Sequence, residues 1–319
     1  MPKRAKISII GGGNVGASCA MWAAAKELGD IVVLDIPQAE NMVKGKMLDL
    51  FQCAPLERFD AKITGTADYK DIADSDVIIV TAGLPRKPGM SRDDLIETNA
   101  KIVKSVSENI KEHSPEAKVI LVSNPLDAMV YTAWKATGFP TNQIMGQAGC
   151  LDVARYKAFI AMETGFSVED VNALLLGGHG DTMVPLPRFT NISGIPITNF
   201  ISEERLNEIV DRAKVGGGEI VKLMGTSAYY APASGSVQMA EAIIKDKKRI
   251  LPCAAFCGNN EYGAQDLFVG VPAVLGANGV EKVLDLDLNA EEKGYMDTSI
   301  EAVKELVGIV NKMFPELAK

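Results

Sequence analysis

An apolar run, Lys6–Ile10, ends in Gly11-Gly12-Gly13-Asn14-Val15-Gly16 and passes directly into a helix-like segment, Val15–Leu28. Few folds place a strand, a G-x-G-x-x-G turn and a helix in immediate succession. Gly11 permits the tight turn, Gly13 lets the backbone approach a pyrophosphate, and Gly16 lets the helix pack closely on the strand. The helix start, running through Gly12, Asn14 and Val15, offers unpaired N–H groups and a positive dipole end to phosphates. In a chain with 29 glycines the pattern alone is a weak signal, so its context decides.

That context is a βαβ alternation. Ile31–Leu34, Val77–Thr81 and Val119–Val122 are short, β-branched and almost free of charge. Such runs predict strands buried on both faces, as in a parallel sheet. Helix-like segments at Met42–Phe51 and Ser91–His113 lie between them. The expected fold class is α/β: a Rossmann doubly wound parallel sheet, followed by a mixed α+β substrate and catalytic domain. Asp35 ends the second strand 19 residues beyond Gly16, where a carboxylate would bond a ribose 2′-hydroxyl and repel a 2′-phosphate. NAD is therefore expected as cofactor, rather than NADP. Thr81-Ala82-Gly83 and Val122-Ser123-Asn124 follow the fourth and fifth strands, at the carboxyl edge where open α/β folds bind ligands.

The chain changes character near Gln147–Leu151, which sets expected domains of 1–147 and 148–319. Helix-like Asp152–Thr164 and strand-like Val171–Leu176 precede a Pro-rich stretch, Val184–Ile197. Helical patterns follow at Glu203–Met224 and Ser227–Lys245, strands at Ile250–Phe256 and Leu267–Leu275, and a closing helix at Glu291–Phe314. A net charge of -8 lacks the basic field that nucleic acid or an anionic membrane selects. No segment has the length of a spanning helix or the pattern of a signal peptide. Five scattered cysteines fit free thiols in a reducing cytoplasm, and no metal site is expected from them.

Of two histidines, His113 sits in a charged helical end and reads as a solvated surface residue. His179 lies in Gly177-Gly178-His179-Gly180-Asp181, just past an apolar strand, where flanking glycines permit close approach. An imidazole there can serve as a general base near neutral pH. The simpler alternative is a loop residue bonded to Asp181. Asp152 and Arg155, three apart, share one helix face, and on their own would read as an ordinary intrahelical ion pair. The segment Leu84-Pro85-Arg86-Lys87-Pro88-Gly89-Met90-Ser91-Arg92 carries three cations where the nicotinamide end of a dinucleotide would lie. Its Pro and Gly mark a non-helical segment that could fold as a lid.

The ordered set GGGNVG, TAGLPRKPGMSRDDL, VSNPLD, LDVAR and GGHGDTMVP resembles the lactate/malate dehydrogenase family, in its bacterial branch closer to lactate dehydrogenase. The resemblance implies reversible NAD-dependent oxidation of (S)-malate to oxaloacetate, a step of the tricarboxylic acid cycle. It gives His179 the role of proton acceptor and Asp152 that of its orienting partner. It makes Arg155 the clamp on the C1 carboxylate and Arg92 the cation that polarises the C2 oxygen. Asn124 becomes a substrate contact, and Val122, Ser123, Asn124 and Asn99 become cofactor contacts. Arg86 stands where related lactate dehydrogenases carry glutamine, and so supplies a partner for a second carboxylate. With a monocarboxylate bound, closure would bury that cation unpaired at a cost of several kcal/mol. A homo-oligomer is implied as well, a tetramer ahead of a dimer. The alternatives are a lactate dehydrogenase, a metal-dependent NAD-using glycosidase with Cys150 and His179 as ligands, or a non-catalytic nucleotide-binding module.

Overall fold

The computed structural model describes residues 4–85, 92–259 and 261–317. The first half forms β1 (Lys6–Ile10), α1 (Asn14–Ala25), β2 (Asp30–Leu34), α2 (Glu40–Gln52), α3 (Ala54–Glu57), β3 (Ile63–Thr66) and β4 (Val77–Val80). It continues through α4 (Arg92–His113), β5 (Lys118–Leu121), α5 (Leu126–Thr137) and β6 (Ile144–Gly146). Then come α6 (Ala148–Thr164), the two-residue strands β7 (Val171–Asn172), β8 (Leu175–Leu176), β9 (Val184–Pro185), β10 (Asn191–Ile192) and β11 (Ile195–Pro196), and α7 (Glu203–Met224). The chain closes through α8 (Tyr230–Ile244), β12 (Arg249–Cys257), β13 (Leu267–Gly276), β14 (Gly279–Val283) and α9 (Ala290–Met313).

Among the described residues, nine strands form one sheet in the order β14-β13-β12-β6-β5-β4-β1-β2-β3. Strands β1 to β6 pair in parallel, and the direction reverses where Ala254 of β12 pairs with Gly146 of β6. Of the six strands of this doubly wound sheet, β1, β2, β4 and β5 are those that apolar runs predict; β3 and β6 carry no such run. Every residue of β4 is fully buried, as are Val119–Leu121 of β5. Burying a Val, Ile or Leu side chain contributes about 1.5–3 kcal/mol, so the sheet centre carries much of the core's stabilisation. The order reverses between β1 and β4, and the crevice outside their carboxyl ends is where such sheets bind ligands.

The second half extends this sheet by three antiparallel strands and adds a smaller apolar cluster around Tyr156, Ile160, Val171, Leu206 and Ile209. Helix ends are built locally. Ser202 accepts the Arg205 amide at the start of α7, and Asn289 with Glu292 forms a capping box on α9. Helices α5, α6 and α7 stop at Gly138, Gly165 and Gly225, each left-handed.

Several expectations shift. The single strand expected over Val171–Leu176 splits, because β7 pairs with β10 while β8 pairs with β9 in a different sheet. The helix expected from Ser227 begins at Tyr230, which places Pro232 in the first turn, where a missing N–H is harmless. His113 is half-buried rather than fully solvated: its ring lies beside Tyr69, 6.4 Å between centroids, and its carbonyl accepts the Asp74 amide. It sits at the amino edge of the sheet, away from the glycine loop. Cys19, Cys150, Cys253 and Cys257 are buried, and burial pushes the Cys150 thiol up to about 12, so these side chains pack as small hydrophobes.

Candidate active site

Asp152 joins the side chains of His179 and Arg155. Helix α6 presents it on its inward face with only 4% of the side chain exposed. One carboxylate oxygen, Oδ2, lies 2.9 Å from Nδ1 of His179. The other, Oδ1, accepts from Arg155 Nη1 at 3.1 Å. The spacing of Asp152 and Arg155 therefore makes the intrahelical pair, but the pair is part of a larger unit that reaches His179. The alternative in which His179 bonds Asp181 is not what the structure shows: Asp152 takes the Nδ1 position.

His179 is held by its main chain as firmly as by its ring. Strand β8 leads into the turn, where Gly177 and Gly180 adopt φ of 85° and 116°, conformations that disfavour residues with a side chain. Three successive amides are then clamped by three different elements. Gly177 N–H donates to the Gly270 carbonyl of β13, Gly178 N–H to Ser299 Oγ of α9, and His179 N–H to Asp127 Oδ2 of α5. Gly270 must be glycine for this to work, since a Cβ there would lie 2.1 Å from the Gly177 oxygen. The result is an imidazole with Nδ1 committed to a carboxylate and a side chain that is 21% exposed. Burial acts to lower its pKa, but the Asp152 charge and hydrogen bond, helped by the Asp127 charge, outweigh burial and the opposing Arg155. The imidazolium is thus favoured above the ordinary histidine range.

Arg155 is 13% exposed, and its Nε is buried with no hydrogen-bond partner among the described residues. Gly216 and Gly217 of α7 leave room beside the guanidinium; a Cβ on Gly216 would sit 3.3 Å from Arg155 Cδ. A buried, partly unpaired guanidinium is costly unless an anion completes it, and its planar fork suits a carboxylate.

The nucleotide end is assembled at the same sheet edge. Gly11 has φ of 108°, and a Cβ on Gly16 would fall 1.8 Å from the Gly11 oxygen, so the fold itself dictates both glycines. Gly13 differs: among the described residues, a Cβ there would meet no atom within 4 Å beyond its own chain neighbours. Helix α1 starts at Asn14 with no side-chain cap and no acidic residue in its first turn, which leaves its amides to an anion. Asp35 accepts the Gly12 amide at 2.7 Å and the Ile36 amide at 2.8 Å, fixing the carboxylate beside the loop. Lys46 of α2, to which no sequence signal points, donates to the Gly12 carbonyl at 2.9 Å.

Asn124 is exposed at the carboxyl end of β5, before a cis Asn124–Pro125 bond. Val122 is half-buried, and buried Ser123 donates from its hydroxyl to the Ala82 carbonyl. Asn99 is buried, and its carboxamide is spent on protein partners: it accepts the Leu84 amide and donates to the carbonyls of Leu84 and Asn124. Arg86 lies outside the described residues, as does the side chain of Arg92, whose backbone opens α4. Among the described residues, no group of three or more His, Cys, Asp or Glu is placed to hold a metal ion. No described helix is long and apolar enough to cross a membrane.

The family model for the lactate/malate dehydrogenase NAD binding domain matches residues 5–146, and that for the lactate/malate dehydrogenase alpha/beta C-terminal domain matches residues 150–315. The chain belongs to the lactate/malate dehydrogenase family. It is an NAD-dependent oxidoreductase, and the open cradle at Gly13 with the uncapped start of α1 fits that cofactor. Among its relatives, a malate dehydrogenase of Rhodopirellula baltica is 60% identical over 315 residues, covering 98% of this chain and all of the relative. The apo malate dehydrogenase of Picrophilus torridus superposes with a TM-score of 0.95 at 46% identity, covering 98% of this chain and 99% of that one. A lactate dehydrogenase of Cryptosporidium parvum, in complex with lactic acid and cofactor, superposes with a TM-score of 0.93 at 40% identity, covering 98% and 99%. Within this family, backbone shape does not separate the two substrates; side chains at the site must.

Proposed function

We propose that the chain is a malate dehydrogenase interconverting (S)-malate and oxaloacetate with NAD, with His179 as the proton carrier. The observation that carries this reading is the Asp152 bridge, which sets an imidazole held through Nδ1 and a guanidinium whose Nε is unpaired among the described residues around one buried carboxylate. When bound, NAD accepts the hydride leaving C2 of the hydroxy acid. His179 Nε2 takes the hydroxyl proton as that happens, and Asp152 stabilises the imidazolium formed. In the reverse direction the imidazolium returns the proton to the carbonyl oxygen. Arg155 binds the C1 carboxylate through the edge that carries its unpaired Nε, Asn124 bonds the substrate, and Arg92 polarises the C2 oxygen. Arg86 pairs with the second carboxylate of a dicarboxylate.

Gly11, Gly12, Gly13, Asn14, Val15 and Gly16 receive the cofactor's phosphates, and Asp35 the adenosine ribose. Val122, Ser123, Asn124 and Asn99 complete the cofactor contacts; for Asn99, saturation by Leu84 and Asn124 supports an indirect role through the loops it ties together. The division of the chain at residue 147 is supported by the two family matches, which flank it. A homotetramer, with a dimer as the simpler alternative, is supported by the apolar side chains left exposed on α2 and α3, Met42, Leu48, Phe51 and Leu56. A cytoplasmic setting is supported by five cysteines without a disulfide among them.

If Asp35 selects the cofactor, Asp35→Ser raises kcat/KM with NADPH relative to NADH by roughly 10- to 100-fold, because a repelling charge is removed at the ribose. Steady-state rates with the two cofactors at saturating oxaloacetate read this directly, and an unchanged ratio would show that Asp35 is only a turn residue. The functional reading as a whole is tested by oxaloacetate-dependent oxidation of NADH. Its absence in folded protein would remove the proposal.

A further inference from the structure

We infer that Asp127 is a second positioning residue for His179, a buried carboxylate that pins the main chain of the histidine turn and whose charge stabilises the protonated ring alongside Asp152. Asp127 lies in the first turn of α5 with 3% exposure. Its Oδ2 accepts the His179 amide at 3.1 Å, and a Cβ on neighbouring Gly178 would lie 3.2 Å from the same oxygen. Its Oδ1 is buried with no hydrogen-bond partner among the described residues.

Accepting one amide does not require a carboxylate. An asparagine oxygen would do so without the cost of burying a charge. Burial accordingly drives the Asp127 carboxyl up to about 6, against the bonds from the His179 amide and its own amide and the His179 charge, with Asp152 adding to the rise. A group raised in this way stabilises the fold only while protonated: that contribution is complete below the ordinary carboxylate range and is lost as pH rises through about 6. The ionised form present at neutral pH is therefore not there for stability. What a carboxylate supplies and an amide does not is a negative charge, held 3.1 Å from the His179 amide, that acts on the imidazolium His179 must carry. The charged groups that act on His179 are Asp152 and Asp127, which raise its pKa, and Arg155, which lowers it. Removing one of the two carboxylate charges shifts that balance.

The inference rests on His179 as proton carrier, but its test reads the ring itself. Only His113 and His179 contribute histidine signals, so histidine-labelled enzyme gives the His179 titration by NMR. In Asp127→Asn the His179 titration moves to lower pH. The high-pH limb of kcat/KM for oxaloacetate reduction moves with it, since that direction needs the imidazolium. Reduction is then lost by roughly five- to tenfold at alkaline pH and by no more than about twofold near pH 6, with NADH affinity within about twofold. If both titrations stay at their wild-type positions, Asp127 is only a hydrogen-bond acceptor and the inference falls. Should Asp127→Asn not fold, the wild-type enzyme still decides: His179 resonances show a second inflection as Asp127 ionises, and a single inflection overturns the coupling. A His179→Asn enzyme that kept full turnover would remove the catalytic reading while leaving the NMR result intact, so the two failures are distinguishable.

Discussion

Replacing His179 by asparagine lowers kcat for oxaloacetate reduction by about 10³-fold, within the range of general acid–base catalysis, while leaving the NADH dissociation constant within about twofold. Asparagine still donates towards Asp152 and keeps the main-chain bond to Asp127, so the turn that carries residue 179 survives. What is lost is a group able to hold a proton at Nε2. The pH dependence of the unmodified enzyme follows from the same geometry. Its histidine pKa lies above the ordinary value, so reduction of oxaloacetate is at full strength below that pKa and declines as pH rises through it. Oxidation of malate needs the neutral ring and rises over the same interval. Fluorescence titration of NADH and stopped-flow turnover separate binding from chemistry; loss of both together would point to a collapsed turn instead of a missing proton carrier.

The second large effect belongs to Arg86. With the role proposed for Arg86, Arg86→Gln shifts the kcat/KM ratio of oxaloacetate over pyruvate by roughly 10³-fold toward pyruvate, because it would delete the partner of the second carboxylate and the penalty of burying an unpaired cation. Arg155 and His179 are untouched by this change, so turnover with the better substrate persists. A variant with the ratio unmoved would place the recognition of the second carboxylate elsewhere.

The sheet was readable because β1, β2, β4 and β5 are buried on both faces and so appear as uninterrupted β-branched runs. Strand β3, with the sequence ITGT, carries no such run, and β6 is three residues long. Helix α5 escaped for the opposite reason. Nine of its twelve residues are buried, so it lacks the polar stripe that marks a surface helix. At the site, glycines flanking His179 and the three-residue spacing of Asp152 and Arg155 could be read directly. Their meeting could not, because it depends on α6 and the turn after β8 converging over 27 residues of chain. The clamps on the turn, Gly270 and Ser299, lie farther still and have no local signature. Asp127 did have one: a single acid at the head of a largely apolar helical run, two residues after Pro125.

The central claim is that this constellation serves a dicarboxylate, and the most direct measurement is the ratio of kcat/KM for oxaloacetate to that for pyruvate with NADH in the unmodified enzyme. The account predicts a ratio of about 10³ or more in favour of oxaloacetate. A ratio near one, or a preference for pyruvate, would contradict it.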